Sequence, residues 1–132
     1  MDVILNGLTL AYIGDAYYEL SVRAYLIQSK LTNVNDLHKK AIQFTSGTAQ
    51  ASIIIKMMEE NIISEDEVET FKRGRNASGP GRKNMDAKTY HYATGFEALI
   101  GDLYLNHKDR ADELIRLAIL YIEKGDFNGK DS

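Results

Sequence analysis

The sequence predicts an all-α fold. Apolar residues recur at three- and four-residue steps through most of the chain, cap and terminator residues separate those segments, and no segment alternates convincingly between apolar and polar residues. With 132 residues, 44% of them apolar and 27% charged, the chain is expected to form one domain, residues 1–132, around a real core.

The elements follow in order. From about Leu8 to Lys30, the residues Leu10, Ile13, Tyr17, Leu20, Ala24 and Ile27 fall on one stripe of a first helix. After the polar stretch Thr32-Asn33-Val34-Asn35, a short helix is expected over Asp36–Phe44. A third runs from about Thr48 to Glu60, with Ile54, Met57 and Met58 inward. Ser64-Glu65-Asp66-Glu67 reads as a capping box, in which the Ser64 hydroxyl and the Glu67 carboxylate satisfy the orphan amides of a helix start. Its helix carries Val68 and Phe71 and is expected to end at Gly74. A long helix follows from Ala87 to about Leu105. A last one, Asp109 to Lys124, turns Leu114, Leu117, Ala118 and Tyr121 inward and closes at Gly125.

Several function classes are excluded or disfavoured at this stage. The chain has no cysteine, so disulfides, thiolate metal sites and cysteine nucleophiles are absent. No apolar run is long enough to span a membrane, and no signal peptide is visible, so a cytoplasmic protein is expected. His38, His91 and His107 are scattered and read as surface or rim residues rather than metal ligands.

The charge is unevenly spread. Lys72, Arg73, Arg75, Arg82, Lys83 and Lys88 face a single acid, Asp86, in a window of about +5; with a net charge of −3, the remainder stands at −8. The window also holds Gly74, Gly79, Gly81 and the only proline, Pro80, and so reads as a basic loop, or an interrupted helix, over about 72–88. Such asymmetry points to an anionic partner.

Two acids sit inside apolar helical runs: Asp15 in Leu10-Ala11-Tyr12-Ile13-Gly14-Asp15-Ala16, and Glu97 in Phe96-Glu97-Ala98-Leu99-Ile100-Gly101. Burying a carboxylate is costly unless it is paired, hydrogen-bonded or metal-bound. If the two helices pack together, Asp15 and Glu97 converge, and two carboxylates with room for water suit Mg²⁺. The structural alternative, an acid capping a neighbouring helix or pairing with a residue such as Arg23, is open for either acid alone.

These segments resemble the two signature regions of the ribonuclease III catalytic-domain family. The first signature reads roughly Glu-Phe-Leu-Gly-Asp-Ser, against Ala11-Tyr12-Ile13-Gly14-Asp15-Ala16 here. The second reads Asp-x-x-Glu-Ala-x-x-Gly-Ala-x-Tyr-Leu, against the run from Thr94 to Leu105. The resemblance implies the ribonuclease III endonuclease-domain helical fold, working as a homodimer, with Tyr12 at the position of the dimer-contact aromatic. It implies a metal-dependent endoribonuclease that cleaves double-stranded RNA to 5′-phosphate ends. Asp15 and Glu97 would be its catalytic metal ligands, for Mg²⁺ with Mn²⁺ as a substitute. Two of the family's four acidic positions are replaced, by Ala11 and Thr94. That, with the short chain after the last helix and hence no expected double-stranded-RNA-binding domain, resembles the Mini-ribonuclease III subfamily, implicated in maturing the 23S ribosomal RNA precursor. The implied partners are that RNA, a second copy, and a ribosomal protein or pre-ribosomal subunit. In this reading Lys72, Arg73, Arg75, Arg82, Lys83 and Lys88 grip RNA phosphates.

Two rivals stand beside it. One is a non-catalytic RNA- or ribosome-binding module of the same fold, supported by the replacements at Ala11 and Thr94. The other is a helical phosphohydrolase acting on small phosphorylated molecules, which leaves the basic window without a purpose.

Overall fold

The computed structural model describes residues 5–80 and 85–125. Among the described residues every regular element is helical: α1 (Gly7–Gln28), α2 (Val34–Thr45), α3 (Gly47–Glu59), α4 (Glu65–Ala77), α5 (Ala87–Asn106) and α6 (Lys108–Lys124). The boundaries are set locally. Asn6, Asn33, Ser46, Ser64 and Asp86 each accept a backbone N–H at a helix start. The expected capping box is present in full at Ser64 and Glu67, and Gly125 closes α6 in the left-handed conformation at φ 67°.

The long helix α5 is the axis of the fold, packed against α1, α4, α3 and α6. Around it lie Tyr18, Phe44, Ile53, Ile54, Met57, Phe71, Phe96, Leu99, Leu114 and Ala118, all essentially without solvent exposure. The buried phenol of Tyr18 donates to the Phe44 carbonyl at 2.8 Å, which spares it the cost of an unmade hydrogen bond. Glu67 has a second task beyond its cap. Its carboxylate takes a two-pronged contact from Arg110 at 2.8 and 2.9 Å, and the same guanidinium donates to the Ile62 carbonyl at 2.8 Å. This ties the α3–α4 turn to α6.

The α1–α5 crossing is unusually close because each helix places a glycine at the contact. A Cβ added at Gly14 would lie 1.8 Å from the Glu97 carbonyl oxygen, and one at Gly101 would lie 1.9 Å from the Leu10 carbonyl oxygen. No side chain fits there.

Three sequence expectations are corrected. The buried stripe of α1 is Leu10, Ala11, Gly14, Tyr18, Val22 and Leu26, whereas Leu20, Ala24 and Ile27 are exposed. This helix is apolar on nearly every side, so periodicity does not choose its inward face; the small residues that admit α5 do. Gly74 does not end α4. It lies within the helix because a Cβ there would meet the Ala98 side chain at 2.5 Å, so it serves close packing on α5. The basic window is therefore not one loop over 72–88 but has the other form considered, an interrupted helix: Lys72, Arg73 and Arg75 are helical, and Lys88 is in the first turn of α5.

Candidate active site and basic face

The Gly14–Gly101 crossing puts the two acids on the two helices in closest contact. Asp15 follows the glycine that lies against the backbone of Glu97, so the two residues flank one point of helix contact from opposite helices. Their burial differs from expectation. Asp15 is exposed and Glu97 half-buried. The reason is angular: Gly14 occupies the buried stripe, and the next residue is turned about 100° away from it. Asp15 thus stands at the solvent edge of the crossing, outside the core. Arg23, suggested as a structural partner for either acid, is exposed and paired with Glu19 at 3.1 Å.

The positions of the two absent acids face inward. Ala11 is 6% exposed and Thr94 is 7% exposed. The Thr94 hydroxyl donates to the Tyr90 carbonyl at 3.0 Å, so its proton is committed within α5. Among the described residues no group of three or more His, Cys, Asp or Glu side chains gathers around one point. The candidate donor set is thus the carboxylates of exposed Asp15 and half-buried Glu97. It fits a hard, hydrated divalent cation such as Mg²⁺, which keeps several waters and takes one or two carboxylates plus substrate phosphate oxygens. It does not fit zinc.

The basic residues divide by what they touch. Lys72 lies 3.7 Å from Glu69, and Arg73 donates to the Leu5 carbonyl, holding the start of α1 against α4. Arg75 and Lys88 are built differently. Phe71 of α4 and Tyr92 of α5 meet edge to face at 5.2 Å; the Arg75 guanidinium lies 5.7 Å from the Phe71 ring centre and the Lys88 ammonium 5.4 Å from that of Tyr92. One cation on each helix is thereby seated on a shared aromatic pair. Arg82 and Lys83 lie outside the described residues.

Tyr12 is 82% exposed, which rules out a core aromatic. It lies in a row at four-residue steps along the outer side of α1, with Leu8, Ala16, Leu20 and Ala24, all exposed, and Ile27 at its far end. Between α1 and α2 this surface continues into a mostly apolar groove of about 280 Å³ lined by Leu26, Ile27, Val34, Leu37 and Ala41, with Arg23 and His38 among its lining.

Sequence reasoning missed one polar contact. Ser78, at the end of α4, is buried and hydrogen-bonded to half-buried His91 of α5. Nothing in the spacing of a serine and a histidine thirteen residues apart announces it.

Comparison with known proteins bears on the same segments. Residues 8–108 match the ribonuclease III domain family. The chain is similar to the Mini-ribonuclease 3 of Acholeplasma laidlawii, with 49% identity over 95% of this chain and 100% of that one. It is also similar to the Mini-ribonuclease 3 of Enterococcus faecalis, with 47% identity over 87% of this chain and 89% of the other. A crystal structure of a Fusobacterium nucleatum protein superimposes with a TM-score of 0.77 at 29% identity, covering 92% of this chain and 94% of that one.

Proposed function

Because this chain belongs to the ribonuclease III domain family, whose members are divalent-metal-dependent endoribonucleases acting on double-stranded RNA, we propose that Asp15 and Glu97 are its catalytic metal ligands. The observation that supports the reading is the glycine crossing, where Asp15 and Glu97 lie on the two helices in closest contact. Mg²⁺ is the cation their chemistry favours, with Mn²⁺ as a substitute. A bound divalent ion there supplies Lewis acidity at the scissile phosphate and an activated water for in-line attack. The protein's own part is to hold the two carboxylates in fixed relation across the crossing, leaving room for water and phosphate oxygens. In-line hydrolysis with departure of the 3′ oxygen leaves a 5′-phosphate and a 3′-hydroxyl end.

Duplex RNA offers mainly backbone phosphates and minor-groove 2′-hydroxyls to a protein, since its major groove is too narrow for side chains. Arg75 and Lys88, seated on Phe71 and Tyr92, are the described cations best prepared to meet phosphates. Lys72, Arg73, Arg82 and Lys83 complete the proposed RNA-binding set. The exposed apolar row with Tyr12 supports a homodimer, in which each copy covers the other's row and each protomer cuts one strand. Similarity to Mini-ribonuclease 3 proteins supports the 23S ribosomal RNA precursor as substrate, within the cytoplasm and in contact with a ribosomal protein or pre-ribosomal subunit. Among the described residues no helix is long and apolar enough to cross a membrane.

The inward-facing Ala11 and Thr94 favour one other reading, a module that holds duplex RNA without cutting it. Incubating long duplex RNA with the protein and Mg²⁺ separates the two. Cleavage that stops on chelation, and is lost in Asp15→Asn and Glu97→Gln while RNA binding persists, is the expected result. Binding without any metal-dependent cleavage by the unmodified protein would overturn the catalytic reading.

A further inference from the structure

We propose that the Ser78–His91 hydrogen bond positions Arg75 and Lys88 for duplex RNA, and that it does so with His91 held as the Nδ1–H tautomer. The positioning role rests on the RNA-binding reading above; the tautomer does not.

The tautomer follows from counting protons. A serine hydroxyl carries one proton and two acceptor lone pairs. The Ser78 hydroxyl donates to the Arg75 carbonyl at 2.8 Å, one of the carbonyls left over at the end of α4. The Ser78 backbone N–H reaches that same oxygen only at 3.5 Å, so the hydroxyl is its good donor. With its proton spent, the Ser78 oxygen can only accept from His91, and Nδ1 must carry the hydrogen. The contact is well shielded, since Ser78 is 7% exposed.

The consequence for geometry is direct. The bond chain runs from the Arg75 carbonyl through the Ser78 hydroxyl to the His91 ring, from α4 to α5. Arg75 thus has its backbone tied to α5 while its guanidinium sits on Phe71, which packs on Tyr92 beneath Lys88. Two ties, one polar and one aromatic, fix the spacing of a cation on each helix. Cations held at a fixed spacing lose less freedom on meeting phosphates than cations on separate flexible ends. Ser78 and His91 therefore act on RNA affinity through Arg75 and Lys88 and do not touch the reacting atoms.

The test has two arms. Nitrogen-15 NMR of the histidine rings should show His91 as Nδ1–H in the unmodified protein and its reversion in Ser78→Ala. An Nε2–H ring in the unmodified protein would overturn the assignment whatever the protein does with RNA. In steady-state cleavage of a short duplex RNA, Ser78→Ala and His91→Leu should each raise KM about fivefold, the scale of one net hydrogen bond, with kcat within about twofold. The double variant should be no worse than the singles. His91→Asn, whose amide places an N–H near the Nδ1 position, should restore KM; this rescue separates lost positioning from general damage to the fold. Unchanged KM, loss in kcat instead, or additive losses would overturn the positioning role. No duplex-RNA binding by the unmodified protein would remove the underlying reading and this role with it, leaving only the tautomer.

Discussion

Gly14→Ala is the sharpest probe of the α1–α5 crossing. The new methyl carbon would fall 1.8 Å from the Glu97 carbonyl oxygen and 2.7 Å from the Gly101 amide nitrogen. Ordinary contact needs about 3.5 Å, so the helices must separate by something on the order of 1.5 Å, and both obstructing atoms are helix backbone that cannot rotate away. Helix propensity works in the opposite direction, favouring alanine by about 1 kcal/mol. Overpacking typically costs about 1–3 kcal/mol and more where the neighbours are rigid, so a net loss of about 1–2 kcal/mol or greater is expected. For a domain of this size that lowers Tm by roughly 4–10 °C in thermal unfolding followed by circular dichroism. The functional effect should be larger than the stability effect. Displacing Asp15 from Glu97 by even about 1 Å is enough to cost about 100-fold in cleavage rate at temperatures where the variant is fully folded. Gly47→Ala is the control, because its Cβ meets only the movable end of Met85, at 2.5 Å, and should leave Tm and rate near their original values. A Gly14→Ala protein that is as stable as the original, or more so, and cleaves at the original rate would refute the close crossing as the device that sets the carboxylate pair.

Three further outcomes are expected. Arg110 holds the Glu67 carboxyl below the usual glutamate range, so the folded state binds that proton less readily than the unfolded chain does. Stability from this contact is therefore present above the ordinary glutamate pKa and lost as pH falls through the lower folded value. The Tm difference between the original protein and Glu67→Gln should be clear at neutral pH and shrink towards about pH 3; a difference independent of pH would contradict the pairing. If the exposed apolar row is the contact of the proposed homodimer, Tyr12→Asp, which places a charge in it, should shift the sedimenting species from dimer to monomer, with helicity intact. An unchanged sedimentation coefficient would count against that row as the dimer contact. Replacing both Arg75 and Lys88 with glutamine should flatten the dependence of duplex-RNA affinity on salt by about one logarithmic unit per lost phosphate contact. An unaltered slope would remove them from the phosphate-binding set.

What the sequence determined by itself is what local chemistry decides. A serine and a glutamate three residues apart make a capping box wherever the chain goes, and a glycine past a last helical turn relieves the left-handed strain, so the ends of α4 and α6 at Ser64 and Gly125 were legible. The two acid-bearing runs were legible in another way, through their resemblance to the signature regions of the family. The tertiary structure decided what depends on a neighbour. A helix as uniformly apolar as α1 offers no preferred face until α5 arrives, and α5 comes closest at Gly14, which leaves Asp15 at the edge and Tyr12, Leu20 and Ile27 outside. Gly74 reads as a stop by itself and becomes an internal packing residue only because Ala98 stands against it. Arg73 looks like any other cation until the Leu5 carbonyl takes its guanidinium, and Ser78 has no visible purpose until His91 stands opposite. A hydrogen bond or a close approach between distant residues has no signature in either residue alone, because its energy exists only in the pair.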